Sequence, residues 1–400
     1  MSASKYSHNL LALYAIEICS GLARGSLLVC IGWTTLIVVG DVAAVGQVFI
    51  SSMITTILAA PFIAVIVDRY NRKYLTIISH LGMAIALFIL GIAIRYDSNL
   101  SLIWFFVVII FATFLRILYN SAHDGIIHAN TSHDQLLRMV ARFRGIHLLT
   151  TAIGTVLTGF LIETFSSSVG FIFSGACSIL LVIAAAFIRG VTVKENVSGV
   201  SGFMSDFKDG LGLVRNNQVL RNLALLAGVA LPVGQLSNAI LSSFIRDDLG
   251  RGSDIFGLVD AAWPVGGMMA ALVLGSSFLK IGRTNMEYMF AILVGVVTVV
   301  FSYCTSVITL FGMHALMGFT VWVCRIVIDS RILQICTSDT VGRSKAYIEF
   351  MFSVVAMIMC FSPTVVKSSS ASSYFLFWGV VVVVSSLVLW TRQPKLIRSP

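Results

Sequence analysis

The chain has 400 residues, of which 58% are hydrophobic and only 11% charged, with a mean hydropathy of +0.95. A water-soluble domain carries about 25% charged residues, so this composition excludes one and makes lipid the solvent. The net charge of +9 would suit a nucleic-acid partner, but its distribution along the chain argues against one.

Runs of about 20 apolar residues cross a hydrocarbon core as helices. In chain order they cover 10–37, 43–67, 74–95, 99–124, 142–163 and 169–189, then 219–245, 254–278, 286–304, 307–332, 345–366 and 373–391. The alternating ten-residue segments of a β-barrel are absent. The expected fold class is therefore an all-α polytopic membrane protein of twelve spans. The first run is long enough to stay in the membrane rather than be cleaved as a signal peptide. Seven cysteines are scattered singly along the apolar runs, without metal-ligand spacing, and read as small core residues.

When alternate loops are assigned to opposite sides, 20 of the 27 Lys and Arg fall on the side that holds both termini. The other side has Arg95, Arg246, Arg251 and Lys367, while Arg24, Arg116 and Arg325 lie at membrane depth. The positive-inside rule puts the basic side, and both termini, in the cytoplasm. The basic charge is thus topological.

The longest polar break, about Gly190 to Gln218, contains a short amphipathic stretch from Ser205 to Arg215 that suits a membrane surface. It separates residues 1–190 from 219–400, two units of six spans each joined by a linker over 191–218. Features recur between them. Arg116 in the fourth span matches Arg325 in the tenth, and Arg69 and Arg72 match Lys280 and Arg283. Thr131-Ser132 with Arg138 resembles Thr337-Ser338 with Arg343. A duplicated six-helix unit around a cavity is a recurrent transporter plan.

After the second span the chain reads Ala64-Val-Ile-Val-Asp68-Arg69-Tyr70-Asn71-Arg72-Lys73. An Asp closes a helix at the membrane surface and a tight basic turn follows, where Asn71 tolerates a left-handed backbone. Such a carboxylate can bond neighbouring arginines or a helix N-terminus, and so latch two helices in one state only. The segment resembles the loop signature of the major facilitator superfamily, Gly-x-x-x-Asp-Arg-x-Gly-Arg-Arg/Lys. Ala64 and Asn71 replace its two glycines, and the second copy, Gly275 to Arg283, has Leu279 in place of the Asp. Phe207 to Leu226 and Leu333 to Ala346 resemble segments of the branch that contains the bacterial enterobactin exporter. The resemblance implies two pseudo-symmetric six-helix bundles, alternating access, and export driven by the proton gradient. It also implies a cavity lined by the first, fourth, seventh and tenth helices, and a gating role for Asp68, Arg69, Arg72, Lys73 and Arg343.

A charged residue at a helix centre costs about 2.5–3.5 kcal/mol to insert, so each needs a partner or an aqueous cavity. Glu17 and Arg24 share one face of the first span, and Arg116, Tyr119 and Asn120 lie on the fourth. Gln235 and Asn238 follow a kink expected at Pro232. Trp322, Arg325 and Asp329 lie on the tenth, with the last two spaced to pair within the helix. These ten residues are the candidate cavity. Asp260 in the eighth span is a further membrane-depth charge, and Glu349 near its helix end suits a latch with the basic loops. Three buried arginines suit a carboxylate-bearing substrate, and a buried carboxylate such as Glu17 suits proton coupling. His80, His123, His147 and His314 are candidate relays.

No HExxH, GxxxxGK[ST] or GxSxG motif is present, which argues against an enzyme and against an ATP-driven pump. The expected function is proton-coupled export of a small organic molecule, a siderophore or another anionic metabolite, with multidrug efflux, uptake, or a receptor or scaffold as alternatives. The expected partners are the bilayer, the substrate and protons, for a monomer without cofactor or metal in a plasma membrane.

Overall fold

A computed structural model of the protein describes residues 3–96, 101–130, 133–188, 212, 217–275, 285–336, 338–368 and 370–392. Regular structure among them is helical throughout. In order come α1 (Ala3–Val39), α2 (Val42–Arg69), α3 (Arg72–Tyr96), α4 (Leu102–Asn130), α5 (His133–Thr164) and α6 (Ser167–Ala186). Then follow α7 (Gln218–Ala230), α8 (Val233–Ser243), a π-helical turn (Phe244–Asp248), α9 (Ser253–Gly275), α10 (Met286–Phe301), α11 (Val307–Ile335), α12 (Ser338–Val365) and α13 (Ser372–Thr391). Apart from Gly212, the amphipathic stretch expected at Ser205 to Arg215 lies outside the described residues.

The seventh passage, Gln218–Asp248, is one apolar run broken between α7 and α8 at Pro232, the position of the expected kink, where the backbone lacks a donor. Counting it once, eleven passages among the described residues are long and apolar enough to cross a membrane. The twelfth is α10, an apolar helix of only 16 residues.

The chain packs into two compact units. One comprises Met1–Val200 with Leu241–Pro264; the other comprises Ser201–Ile240 with Val265–Pro400. The hairpin from the end of α8 into α9 therefore packs with the helices of the first sequence half.

In the first unit α1 is the central helix. Its Leu13 and Ile16 are buried against Tyr119 and Ile126 of α4, Phe143 of α5 and Leu181 of α6. Lipid offers little hydrophobic drive for such contacts, so close backbone approach and polar clips supply it. At Gly25 a Cβ would lie 2.2 Å from the carbonyl oxygen of Thr151, so only glycine lets α1 and α5 cross there. Ser26 Oγ donates to Gly170 O (3.2 Å) and Ser174 Oγ to Ala23 O (3.1 Å), clipping α1 to α6.

The Asn71 turn fastens three helices of this unit. Asn71 is an N-cap whose Oδ1 accepts from Lys73 N at 2.9 Å. The left-handed backbone that the sequence suggested is not used: among described non-glycine residues only Asn285 has a positive φ, 73°. Arg72 Nη1 donates to Gly125 O of α4 (3.2 Å). Lys73 Nζ donates to Ala186 O (2.6 Å) and Ile188 O (2.7 Å), placing a cation at the C-terminal end of the α6 dipole.

In the second unit Phe301 of α10 meets Phe375 of α13 edge-on at 5.1 Å and also lies beside His314 of α11 at 5.5 Å. Ser237 Oγ and His314 Nε2 share a buried hydrogen bond of 2.8 Å.

Candidate functional site

The centre of the first unit holds a buried carboxylate between two imidazoles. Glu17 is 6% exposed; its Oε1 lies 2.9 Å from His123 Nε2 of α4 and its Oε2 3.4 Å from His147 Nδ1 of α5. A carboxylate only accepts, so each contact requires N–H on the facing nitrogen, which fixes both tautomers. With both imidazoles neutral the group carries one negative charge, and one added proton neutralises it. The ring of His123 stacks on Tyr119 at 5.2 Å, and His80 of α3 meets Tyr119 edge-on at 4.5 Å. Nδ1 of His123 and both ring nitrogens of His80 are buried without a hydrogen-bond partner. Unpartnered buried nitrogens mark a place where water or a proton completes the structure.

A second charged group lies two turns along the same helices. Arg24 follows Glu17 by seven residues on α1, and Arg116 precedes His123 by seven on α4. The two helices run in opposite directions, so both offsets point the same way, about 10 Å from the carboxylate. Both guanidiniums are half-buried and interact electrostatically with each other. Arg24 also feels Asp260, which the α8–α9 hairpin brings into this unit. No described carboxylate comes within 4 Å of either arginine. Asp260 opposes the charge of Arg24 at longer range, so the pair of arginines keeps a net positive charge.

The hairpin itself is held at the far end of α5. Glu163 Oε2 accepts from Ser253 N and from Ser253 Oγ, both at 2.9 Å, capping α9 from another helix. Gly159 O, 3.1 Å from Ser253 Oγ, is an alternative acceptor for the same hydroxyl proton, and Trp33 of α1 stacks on Phe256 at 5.6 Å. α5 and α9 cross at Gly159 and Gly257: a Cβ on Gly257 would lie 2.5 Å from Thr155 O and 2.9 Å from Gly159 Cα.

The remaining predicted residues divide as follows. Tyr119 is buried against the histidines, whereas Asn120 is exposed. In the second unit Asn238 Nδ2 donates to Gln235 Oε1 at 3.3 Å, and Trp322 is half-buried against Gly267. Arg325 and Asp329 do not pair with each other as the i,i+4 spacing suggested. Arg325 bonds Glu349 of α12, and Asp329 lies 3.9 Å from Lys345 of the same helix. The next helix offers each an opposite charge, so the four residues tie α11 to α12. Asp68 and Arg69 end α2, and the side chain of Arg343 lies outside the described ones.

Sequence reasoning named His123 and His147 only as possible relays, because nothing local links them to Glu17, 106 and 130 residues away. Their one signal is that His123 follows Arg116 at the same seven-residue interval that separates Glu17 from Arg24. Glu163 and Ser253 gave none, since each reads as an ordinary helix-end residue.

The family model described as Major Facilitator Superfamily matches residues 13–237, more than half of the chain. No curated protein matches the sequence. Solved structures do match along almost the whole chain. A point mutant of the nucleoside transporter NupG aligns with a TM-score of 0.81 at 14% identity, over 96% of this chain and 99% of its own. A POT family transporter in complex with 5-aminolevulinic acid aligns with a TM-score of 0.74 at 12% identity, over 96% of each chain. A bacterial homologue of the iron transporter ferroportin, in an inward-facing state, aligns with a TM-score of 0.74 at 14% identity, over 98% of this chain and 100% of its own.

Proposed function

Because the chain belongs to the major facilitator superfamily, we propose that it is a secondary active transporter moving a small organic anion, of the siderophore or another acidic-metabolite class, by alternating access coupled to protons. The carrying observation is the pairing of two sites on α1 and α4: Glu17 with His123 and His147 at one level, and Arg24 with Arg116 two turns away. The first group changes its charge by taking up a proton. The second offers two half-buried guanidiniums, whose planar fork suits a carboxylate. Apart from His147 on α5, both lie on helices that the resemblance assigns to the cavity. The membrane is the plasma membrane, the bacterial inner membrane in a bacterium, with both termini cytoplasmic as the basic loops imply.

Export in exchange for protons is the direction implied by the resemblance of Phe207 to Leu226. A second reading, uptake of anion and proton together, is favoured by the charge count of the first unit. There, among the membrane-depth charges and with the imidazoles neutral, Glu17 and Asp260 balance Arg24 and Arg116, so a proton or a monoanion bound alone breaks neutrality and the two together keep it.

Transport by the purified protein in liposomes with an imposed pH gradient tests the proposal, screened over carboxylic acids, siderophores and cationic dyes. Movement of an acid that depends on the gradient and weakens in Arg24→Gln is the expected result. Accumulation of dyes alone, unaffected by Arg24→Gln, would refute the anion and point to drug efflux.

A further inference from the structure

At the periphery of the first unit the α3–α4 hairpin carries an apolar groove of about 230 Å³. Ala86, Ile89 and Ala93 of α3 form one wall, and Trp104, Val107 and Phe111 of α4 form the other. On each helix these residues recur at intervals of three and four, which puts them on one face. The two alanines leave the space and the larger side chains enclose it. The lining exposes no polar atom. Ile89, Trp104, Val107 and Phe111 are themselves exposed, so the groove opens sideways, where a membrane protein meets lipid.

The groove has a closed end and a charged end. Deeper in the membrane the hairpin shuts at Gly82, where a Cβ would lie 3.0 Å from Leu115 Cδ1 and 3.7 Å from Phe111 Cζ. Just past Ala93, at the other end, are Arg95 and Tyr96, both exposed in the last turn of α3. Arg95 is one of the few basic residues on the side that the basic loops avoid, and it forms no ion pair with a described residue. From Arg95 back to Ala86 is about 14 Å of helix, close to one leaflet of a hydrocarbon core about 30 Å thick. A cation at a helix C-terminus is favourable by itself, so the charge alone assigns nothing; the groove that runs up to it does. We propose that this groove holds one acyl chain of an anionic phospholipid, with the headgroup phosphate on Arg95.

The two ends play different parts. Lipid tails are as apolar as the groove, so the chain alone gives no preference among phospholipids. Selection falls to Arg95, whose planar fork suits a phosphate, with Tyr96 and Trp104 at the depth where aromatic rings favour the interface. A zwitterionic headgroup carries its own cation beside the phosphate and competes with the arginine, whereas phosphatidylglycerol does not. One Arg near the membrane surface is worth about a fivefold preference for the anionic lipid.

The test uses the full-length protein in nanodiscs of phosphatidylcholine that contain a minor, equal fraction of brominated phosphatidylglycerol or brominated phosphatidylcholine. Bromine in the upper half of the chain quenches an indole on contact, and Trp104 lines the groove. The protein has six tryptophans, so the Trp104 signal is the difference between wild type and Trp104→Phe. Brominated phosphatidylglycerol should occupy the site about fivefold more favourably than brominated phosphatidylcholine. The preference should be lost in Arg95→Gln and in about 0.5 M salt, where the screening length is about 4 Å. Ala93→Leu, which fills the groove, should weaken quenching by both lipids. If Arg95→Gln misfolds, the salt series on the wild type decides. Equal quenching by the two lipids in the wild type would reduce the groove to ordinary lipid contact and overturn the proposal. A preference undiminished in Arg95→Gln or at high salt would place the phosphate elsewhere and overturn it too. So would quenching unchanged in Ala93→Leu, or a Trp104 signal that neither lipid quenches.

Discussion

Replacing Gly257 by alanine should release the α8–α9 hairpin from α5. The added Cβ would stand 2.5 Å from Thr155 O and 2.9 Å from Gly159 Cα, both backbone atoms that no rotamer change can move. Ordinary contact begins at about 3.5 Å, so the crossing must open by about 1 Å. The same movement stretches Ser253 Oγ to Gly159 O from 3.1 Å, and Glu163 Oε2 to Ser253 N and Oγ from 2.9 Å, to about 4 Å. The one hydroxyl proton of Ser253 serves a single acceptor at a time, so two hydrogen bonds at about 0.5–1.5 kcal/mol each are lost, discounted because Glu163 is exposed, for a net cost of about 1–2 kcal/mol. That shifts the docking equilibrium about 5- to 30-fold. A cysteine placed at Val259, fully buried in the docked hairpin, reports it in a background without the seven native cysteines. Its reaction with a membrane-impermeant maleimide should accelerate at least about fivefold when Gly257→Ala is added, because labelling tracks the open population. Equal labelling rates in the two backgrounds, with both proteins monodisperse, would refute the docking argument.

Three further outcomes are expected. Glu17→Leu should lower thermal stability more than Glu17→Gln, by about 1–3 kcal/mol, because leucine strands the buried N–H of His123 while glutamine retains an acceptor; equal melting in detergent would show that the histidines do not need the carboxylate. Lys73→Met should cost about 1 kcal/mol by uncovering the carbonyls of Ala186 and Ile188, and Lys73→Arg should recover most of it, read by the same melting assay. Cysteines at Asn71 and at Gly250 should be labelled from opposite faces of sealed vesicles, and labelling from one face would break the twelve-span topology.

The spans were legible because about 20 apolar residues between basic breaks have few other fates, and the break at Pro232 followed from its missing donor. Local signals were less reliable where several residues could meet one need. Asn71 tolerates a left-handed turn, but the free backbone N–H of Lys73 at the start of α3 takes its side chain as a cap instead. Arg325 and Asp329 had the spacing of a helical pair, but spacing says nothing of Glu349 and Lys345 on the next helix. Least legible was the Glu17 group, whose three members come from three helices. Only the crossing of α1 with α5, made close by Gly25, shows that a carboxylate and an imidazole far apart in sequence are neighbours.

The two helices that flank the link between the sequence halves, α6 and α7, are each finished by one side chain. Lys73, on α3, closes the end of α6, and the side chain of Asn217 accepts from Val219 N and Leu220 N to begin α7. Neither closure depends on the residues between them. Two separately translated pieces would each keep theirs, and the α8–α9 hairpin of the second piece would still find its seat against α5. Covalent continuity between α6 and α7 then sets the stoichiometry of the two pieces and not the finish of either helix.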